Sequence, residues 1–391
     1  MTVLSALVGD VDYFFEKYVG KAPLHRRDVL RDLGAFVSIE DIDRVITGSG
    51  LRTPGVQLAK DGVVVTPDRY VSRSTLGYAG LKDVVDPVKV AQFYRNGATI
   101  VLGTVNLLLP RLHEVCKDIE TELGHPVDAN IYVAPPDTRA FDVHCDAQDI
   151  LVIQVHGTKR WHLYDEIVPN PGGGTVVSGL DPDAPSSVCE LYEGDLLYVP
   201  RGMPHLVRTT GSSSVHVTIS VNTMTWADLL RELIQEILRA DEFAVPLPLG
   251  RNVAERIGPM VGRYGDLIAS ALAGRAGGDA LHRTLYGRTA FGEPVRAGLL
   301  RQAVTGTPTG MPDRIRLRPG VWPLVTLAEG ADGARITVGT SGFRVSARVA
   351  ETCRRLLDGP LAVQEISPDP SEAATVAETL IGLGMCAGED V

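Results

Sequence analysis

The sequence predicts an α+β protein of more than one domain, in which a strand-rich segment lies between helical segments. Three observations predict this class. The chain has 391 residues, more than one hydrophobic core usually serves. Short β-prone runs separated by Gly, Pro and Asp fill residues 127–222, which is typical of a sandwich or barrel. Apolar residues recur at helical spacing before and after that segment.

The part of the chain before the strand-rich segment is predicted to be mainly helical. Residues 10–19 and 41–45 have helical patterns, and residues 62–65 have the pattern of a short strand. Apolar residues at helical spacing over residues 108–123 predict a longer helix, which Gly124 is expected to end.

The strand-rich segment contains five strong strand candidates separated by turn residues. They are residues 129–133, 150–155, 160–164, 195–199 and 215–221. Residues 169–178 include three consecutive glycines and are expected to form a flexible loop. No strand-to-helix context surrounds these glycines, so a phosphate-binding loop is not predicted.

The remaining chain is predicted to be helical and then mixed. Thr225 and Asp228 have the spacing of a capping box in front of a strongly amphipathic helix, and weaker helical patterns continue to about residue 285. Residues 292–319 are expected to be a linker, because they are rich in Gly, Pro and Thr. The last block alternates a strand (334–338), a helix that opens at Ser346 and a helix over 371–383. This order suits a small winged-helix unit, so we divide the chain into residues 1–225, 226–290 and 291–391.

Composition excludes several classes of protein. Hydrophobic residues make up 44% and charged residues 22%, as in ordinary globular proteins. The net charge of −10 works against attraction to nucleic-acid phosphates, so no direct nucleic-acid binding is expected. The five cysteines are widely spaced and form no C-x-x-C pair, which argues against a disulfide framework. Neither a membrane span nor a secretory signal is predicted, and a cytoplasmic protein is expected.

Two histidines and one aspartate form the most informative pattern. His144 and Asp146 are two residues apart in a strand-like run, where their side chains point to the same side and Cys145 points away. His205 follows a Gly-Asp turn, an apolar strand and a Pro-rich turn, where a neighbouring barrel strand would return. Two imidazoles and one carboxylate on one face of a metal leave positions for a bidentate co-substrate and O2, as in Fe(II) oxygenases. A barrel that has lost its metal is the alternative.

The segments around these residues resemble the JmjC-type cupins, a family that includes the ribosomal oxygenases. His144-Cys145-Asp146, then residues 154–161 with Gln, Gly and Trp in the family's positions, and then residues 194–205 occur in the family's order. The resemblance covers residues 10–225 well and the remainder more loosely. It implies a double-stranded β-helix, the cupin or JmjC jelly roll, with N-terminal helices, a helical dimerisation region and a C-terminal winged-helix domain.

The resemblance also implies a co-substrate pocket for 2-oxoglutarate, with O2 as the second co-substrate. The matching basic residue is Lys159, which would bind the distal carboxylate; a Lys that merely solvates a strand end is the alternative. Asn130 and Tyr132 match family positions that line this pocket. Ser220 is implied as a further contact, with Thr218 nearby, although hydroxyls satisfied inside a barrel explain these two nearly as well.

The implied activity is hydroxylation of an Arg or His side chain in a ribosomal protein by a homodimer. Two other enzymatic readings stay open: tailoring of a peptide or small-molecule natural product, and histone demethylation. A non-catalytic cupin that serves as an interaction module is the remaining alternative. The apolar helix over residues 229–238 is explained by dimerisation or by an intramolecular bundle.

Three ring-bearing residues near the motif are assigned no ligand role. His156 and His162 flank the Lys159 turn but do not occupy ligand positions of the family, so they are expected to be structural or exposed. Trp161 is expected to be part of the core.

Overall fold

The computed structural model describes residues 2–31, 33–74, 81–172, 174–249, 253–275, 311–318, 324–327, 333–338 and 341–388. The chain divides into two compact units. The first comprises Met1–Leu123 and Val127–Thr223, and the second comprises Gly124–Pro126 and Met224–Val391.

Helices cover the beginning of the first unit. They are α1 (Val3–Val8), α2 (Val11–Lys17), α3 (Leu33–Phe36), α4 (Ile39–Gly48), α5 (Pro87–Arg95) and α6 (Pro110–Leu123). The two short helical predictions correspond to α2 and α4, and α6 begins two residues later than predicted. Gly124 adopts a φ of 68°, a left-handed conformation that glycine tolerates and that ends the helix as predicted.

The strands of the first unit form two main antiparallel sheets. They are β1 (Leu24–Arg26), β2 (Val56–Lys60), β3 (Val63–Val64), β4 (Val71–Ser74), β5 (Leu81–Val85), β6 (Thr99–Leu102), β7 (Val127–Ala134), β8 (His144–Cys145), β9 (Asp149–His156), β10 (Lys159–Leu163), β11 (Thr175–Val176), β12 (Ser187–Leu191), β13 (Leu196–Val199), β14 (His205–Thr209) and β15 (Ser214–Val221). The large sheet has the order β1-β13-β9-β15-β7-β6-β2-β3, and the small sheet has the order β11-β8-β14-β10-β12. Strands β4 and β5 pair separately.

Alternate residues of the large sheet serve two cores. On β9, Leu151 and Ile153 belong to the apolar cluster that includes residues of the N-terminal helices. Ile150 and Val152 face the other way and pack with Trp161 of the small sheet. The two sheets therefore pack through their inner faces, and the helices cover the outer face of the large sheet. This is the predicted double-stranded β-helix.

The five strand predictions correspond to β7, β9, β10, β13 and β15. One loop prediction was partly wrong, because Thr175–Val176 inside the expected loop forms β11 and pairs with His144–Cys145. Two β-branched residues suffice for this short strand because a ready sheet edge is beside them.

The second unit contains helices and small sheets. Its helices are α7 (Trp226–Ile237), α8 (Val253–Arg275), α9 (Ala347–Arg354), α10 (Val363–Ile366) and α11 (Pro370–Gly382). Its strands are β16 (Arg314–Leu317), β17 (Leu324–Leu327), β18 (Ala334–Val338), β19 (Ser341–Val345), β20 (Leu361–Ala362) and β21 (Cys386–Gly388). The sheet orders are β20-β16-β21 and β17-β18-β19.

The helix caps that were predicted in the second unit are present in the structure. Asp228 N donates to Thr225 Oγ1 at 3.2 Å, and Thr225 N donates to Asp228 Oδ2 at 3.0 Å, so the predicted capping box is confirmed. Ser346 caps α9 as expected. The linker prediction was wrong at Arg314–Leu317, which forms the central strand β16 because its apolar residues complete a small core. Residues 292–310 and 319 of that predicted linker, and the 290/291 boundary, lie outside the described residues.

Across the helices that the structure describes, none combines the length and the apolarity that a membrane span requires.

Candidate metal and co-substrate site

Neighbouring strands of the small sheet bring the three predicted metal ligands together. His144 on β8 lies directly opposite His205 on β14, and Asp146 follows β8 by one residue. One ligand atom from each side chain lies within 4.8 Å of the other two. His205 Nε2 is 3.6 Å from Asp146 Oδ2, and the two imidazole centroids are 4.4 Å apart. The juxtaposition therefore follows from sheet register.

Backbone carbonyls orient both imidazoles. His144 Nδ1 is 2.8 Å from the carbonyl oxygen of Asp142, and His205 Nδ1 is 3.1 Å from that of Met203. A carbonyl can only accept, so both Nδ1 atoms donate, and Nε2 is the ring nitrogen of each histidine that is left for a metal. Carbonyl partners of this kind fix the tautomer of metal-binding histidines in proteins.

Electrostatics favour the same arrangement. Burial, and then the nearby His144, lowers the pKa of His205 to about 4. His205 is therefore neutral around pH 7, as metal binding requires. Two imidazole nitrogens and one carboxylate match the donor set of non-haem Fe(II) sites, so the residues present fit this metal.

Lys159 lies in the cavity that the three ligand candidates also line. Its side chain is buried, and burial lowers the pKa of its ammonium group to about 7. Among the described residues, no carboxylate contributes to this shift or pairs with the ammonium group. Its Nζ lies 3.2 Å from Nδ1 of His216 and 5.9 Å from the ring centroid of Tyr132. A buried ammonium group without a counterion is suited to bind an anion.

Two of the predicted co-substrate contacts line this cavity and two do not. Tyr132 and Thr218 are part of its wall. Asn130 and Ser220 lie outside its lining, and Asn130 Nδ2 donates to Ser220 Oγ at 3.3 Å. Asn130 Oδ1 also accepts from the backbone of Thr104 at 3.0 Å. The structure thus places this pair in a neighbouring polar network, and their predicted role stays a prediction.

His216 is a cavity residue that the sequence analysis did not single out. Its ring stacks on Tyr132 with a centroid distance of 4.7 Å and an interplanar angle of 6°. Burial, and then Lys159, lowers the pKa of His216 well below its usual value, so the ring is neutral and can accept from Lys159. The available signal was alternation, because His216 and Thr218 share one face of β15.

The other three rings behave largely as expected. Trp161 is buried in the core between the sheets and also forms part of the cavity wall, with its ring 5.4 Å from that of His205. His156 is exposed and pairs with Glu193 at 3.1 Å. His162 is half-buried, with Nδ1 3.4 Å from the Pro182 carbonyl oxygen.

Comparison with known proteins identifies the segment that carries the site. Residues 108–229 match the family described as the JmjC domain. Several curated relatives have the name bifunctional lysine-specific demethylase and histidyl-hydroxylase NO66. The protein from Drosophila grimshawi is 31% identical over 254 residues, which is 61% of this chain and 33% of that protein. The protein from Dictyostelium discoideum is 26% identical over 246 residues, which is 60% of this chain and 46% of that protein. The match thus spans less than half of either relative.

Solved structures of YcfD, a ribosomal oxygenase from Escherichia coli, share the fold. The complex with cobalt and 2-oxoglutarate has a TM-score of 0.56 at 15% identity, covering 98% of this chain and 99% of that chain. The complex with cobalt and succinic acid has a TM-score of 0.56 at 14% identity, with the same coverage. Residues 108–229, which hold all three metal-binding candidates, therefore match the JmjC domain family, and the chain shares its fold with a ribosomal oxygenase.

Proposed function

We propose that this chain is an Fe(II)- and 2-oxoglutarate-dependent oxygenase that hydroxylates an Arg or His side chain of a ribosomal protein. One observation supports the proposal: a single cavity contains two histidines and a carboxylate close together, and a buried Lys159 amine for which the described residues supply no counterion. The names of the relatives, a histidyl-hydroxylase and a ribosomal oxygenase, support the choice of substrate.

Six residues of the cavity are given a part in this activity. His144, Asp146 and His205 would hold the iron through two Nε2 atoms and one carboxylate oxygen. Lys159 would bind the distal carboxylate of 2-oxoglutarate, with His216 and Tyr132 beside its ammonium group. When bound, iron and 2-oxoglutarate would reduce O2, releasing succinate and CO2 and inserting one oxygen atom into a C–H bond.

Apolar side chains around the ligands limit access of water. Trp161, Val207 and Phe141 line the cavity, and the Phe141 ring lies edge-on to His144 at 5.6 Å. Excluding water strengthens the attraction between Lys159 and a bound carboxylate and keeps the oxidant from reacting with solvent.

The net charge of −10 suits a basic protein substrate, because complementary charge speeds encounter. Three alternatives remain: tailoring of a peptide or small-molecule natural product, histone lysine demethylation, and a non-catalytic interaction module. Oxygen gain on a ribosomal protein supports the proposed activity, and formaldehyde release from a methylated histone peptide supports demethylation. A protein that contains no iron and releases no succinate would be an interaction module.

We further propose that the chain is organised in three parts with different roles. Residues 1–225 form the catalytic part, residues 226–290 a helical region through which two copies associate, and residues 291–391 a part with a winged-helix-like domain. The helices α9, α10 and α11 with the β20-β16-β21 sheet support that description of the last part. A cytoplasmic location fits a ribosomal-protein substrate.

The test uses the full chain, purified without oxygen and loaded with Fe(II). It is incubated with 2-oxoglutarate, O2 and a mixture of ribosomal proteins, and mass spectrometry is used to find proteins that gain one oxygen atom. Succinate release and one hydroxylated ribosomal-protein side chain are the expected results. Succinate release together with an oxidised small molecule and unmodified proteins would instead favour natural-product tailoring.

A further inference from the structure

A second depression adjoins the metal cavity on the inner face of the large sheet. Cross-strand neighbours point to the same face of a sheet. Gln57 on β2 lies opposite Val101 on β6, and Val101 lies opposite Tyr132 on β7. Tyr132 lines both the depression and the metal cavity. The inner face therefore continues from the ligand site into a groove, which we call the β2–β6 groove.

The described residues give the β2–β6 groove an uncharged lining. Val64 and Pro67 contribute apolar walls, Val101 lies in the row that leads to Tyr132, and the volume of the groove is about 500 Å³. An unpaired charge is costly to place where water is displaced and no counterion is present. The groove therefore favours an apolar side chain over a charged one.

The Gln57 amide is a polar group of the groove that a ligand can use. Within the described part of the chain, the half-buried Gln57 amide forms no side-chain hydrogen bond, whereas the Asn130 amide contacts Thr104, Asp128 and Ser220. A free amide can donate to a peptide carbonyl and accept from a peptide N–H. Gln57 can thus recognise the backbone of an extended segment whose side chain packs against Val101.

We propose that the β2–β6 groove receives the residue next to the hydroxylated one, and that it selects an uncharged, apolar side chain there. This proposal rests on the proposed function, because the hydroxylated residue must occupy the cavity on the other side of Tyr132. It adds a sequence requirement on the protein substrate that the metal site alone does not impose.

Gly103 allows the groove to be altered without disturbing the sheet. A Cβ atom at Gly103 would meet only Asn130 Oδ1, at an ordinary contact distance of 3.7 Å. Its φ is not in the left-handed region, and its N–H still donates to the Gly55 carbonyl oxygen at 3.0 Å. A side chain at position 103 can therefore extend into the groove. Gly48, where a Cβ would meet nothing within 4 Å, is a matched control.

The experiment starts from the hydroxylated site found by mass spectrometry in ribosomal proteins. Synthetic peptides carry that site with Leu, Glu or Lys at each adjacent position, and kcat/KM is measured for the wild type and for Gly103→Glu, Gly103→Gln and Gly48→Glu. On one side only, the wild type is expected to prefer Leu over Glu or Lys by roughly tenfold or more. Gly103→Glu should favour Lys there, Gly103→Gln should slow the Leu peptide, and Gly48→Glu should match the wild type.

Two failures are distinguishable. If the wild type hydroxylates proteins but accepts Leu, Glu and Lys equally on both sides, or if Gly103→Glu leaves the preference unchanged, the groove assignment is overturned and the oxygenase assignment stands. If no protein or peptide gains oxygen, the proposed substrate class falls and the groove assignment falls with it.

Discussion

His144 and Asp146 are two of the three proposed metal ligands. Replacing either with Ala removes one proposed ligand, so both iron retention and 2-oxoglutarate turnover are expected to be lost. Iron content after anaerobic desalting and succinate release measure the two effects. The control is His156→Ala, which removes an exposed histidine 3.1 Å from Glu193 and should change neither. Iron retained at wild-type level by His144→Ala would refute the ligand assignment.

Replacing His216 should weaken binding of 2-oxoglutarate and leave metal affinity unchanged. His216→Phe keeps an aromatic ring to stack on Tyr132 but removes the acceptor for Lys159, whereas His216→Asn keeps an acceptor and loses the stacking. A hydrogen bond to a charged group contributes enough that we expect His216→Phe to raise the KM for 2-oxoglutarate roughly tenfold, with partial recovery in His216→Asn. Cobalt affinity should be unchanged in both variants. Equal KM values in all three proteins would exclude this role.

Burial of Lys159 predicts a dependence of stability on pH. Because its pKa is lowered to about 7 in the folded chain from about 10.4 when unfolded, the unfolded state binds more protons between these values. The contribution of Lys159 to stability is therefore least favourable below about pH 7 and improves as pH rises toward 10. Lys159→Met removes this term, so its gain in thermal midpoint over the wild type should be largest near pH 7 and shrink by pH 9.5. The measurement uses metal-free protein, and a pH-independent difference would contradict the burial argument.

Among the elements, the β9–β10 turn determines where Lys159 lies. Gly157 in this turn has a φ of 64°, and a Cβ there would collide with the Ser213 carbonyl oxygen. Gln154 holds the turn by donating to the His156 carbonyl oxygen at 2.7 Å and to Ser214 Oγ at 2.8 Å. The Gln and Gly of the motif thus place Lys159 in the cavity without contacting a ligand themselves.

This geometry predicts the effect of Gly157→Ala. Left-handed φ alone costs about 1 kcal/mol when Ala replaces Gly, and the collision with backbone adds a further ~1–3 kcal/mol. Gly211→Ala is the matched control, because Gly211 has a φ of 63° with open space around its Cβ position. Denaturation midpoints should fall more for Gly157→Ala, and its KM for 2-oxoglutarate should rise. A similar fall in the denaturation midpoint of both variants would show that the left-handed φ, and not the collision with Ser213, causes the loss of stability.

The strands were predictable from the sequence where β-prone runs were long and flanked by turn residues, as in β9 and β15. The site was predictable because side-chain parity along a strand and motif order place His144, Asp146 and Lys159. Sequence reasoning missed β11 because two residues carry too little pattern, and it missed β16 because its Gly- and Pro-rich surroundings hid an apolar core strand. His216 was passed over because parity identifies a face and not which residue on that face contacts Lys159.

For the whole molecule, the second unit carries exposed apolar side chains that support association of two copies. Trp226 is 76%, Leu249 90% and Val261 60% exposed, whereas Leu233 and Ile237 on α7 are buried within the chain. Packing within the chain thus explains part of the amphipathic pattern over residues 229–238, in which Leu230 and Leu238 stay 40% and 47% exposed. Exposed apolar side chains such as these are candidates for an interface.

We therefore expect light scattering to give the mass of two chains for the wild type. Leu249→Glu combined with Val261→Glu should give a single chain, because a desolvated carboxylate disfavours the interface. Val88→Glu replaces an exposed valine on α5 and should leave the mass unchanged. A wild-type mass of one chain at all concentrations would contradict the dimer proposal.

The register between β8 and β14 has a consequence for how the protein is made. His144 and His205 are partners across two hydrogen-bonded strands, although five strands, β9 to β13, lie between them along the chain. Contacts of such long range form late, after the loop-closure entropy has been offset by other contacts. We therefore expect that a growing or partly folded chain has no complete iron-binding site. Redox chemistry at bound iron would then begin only after the residues around the cavity have folded.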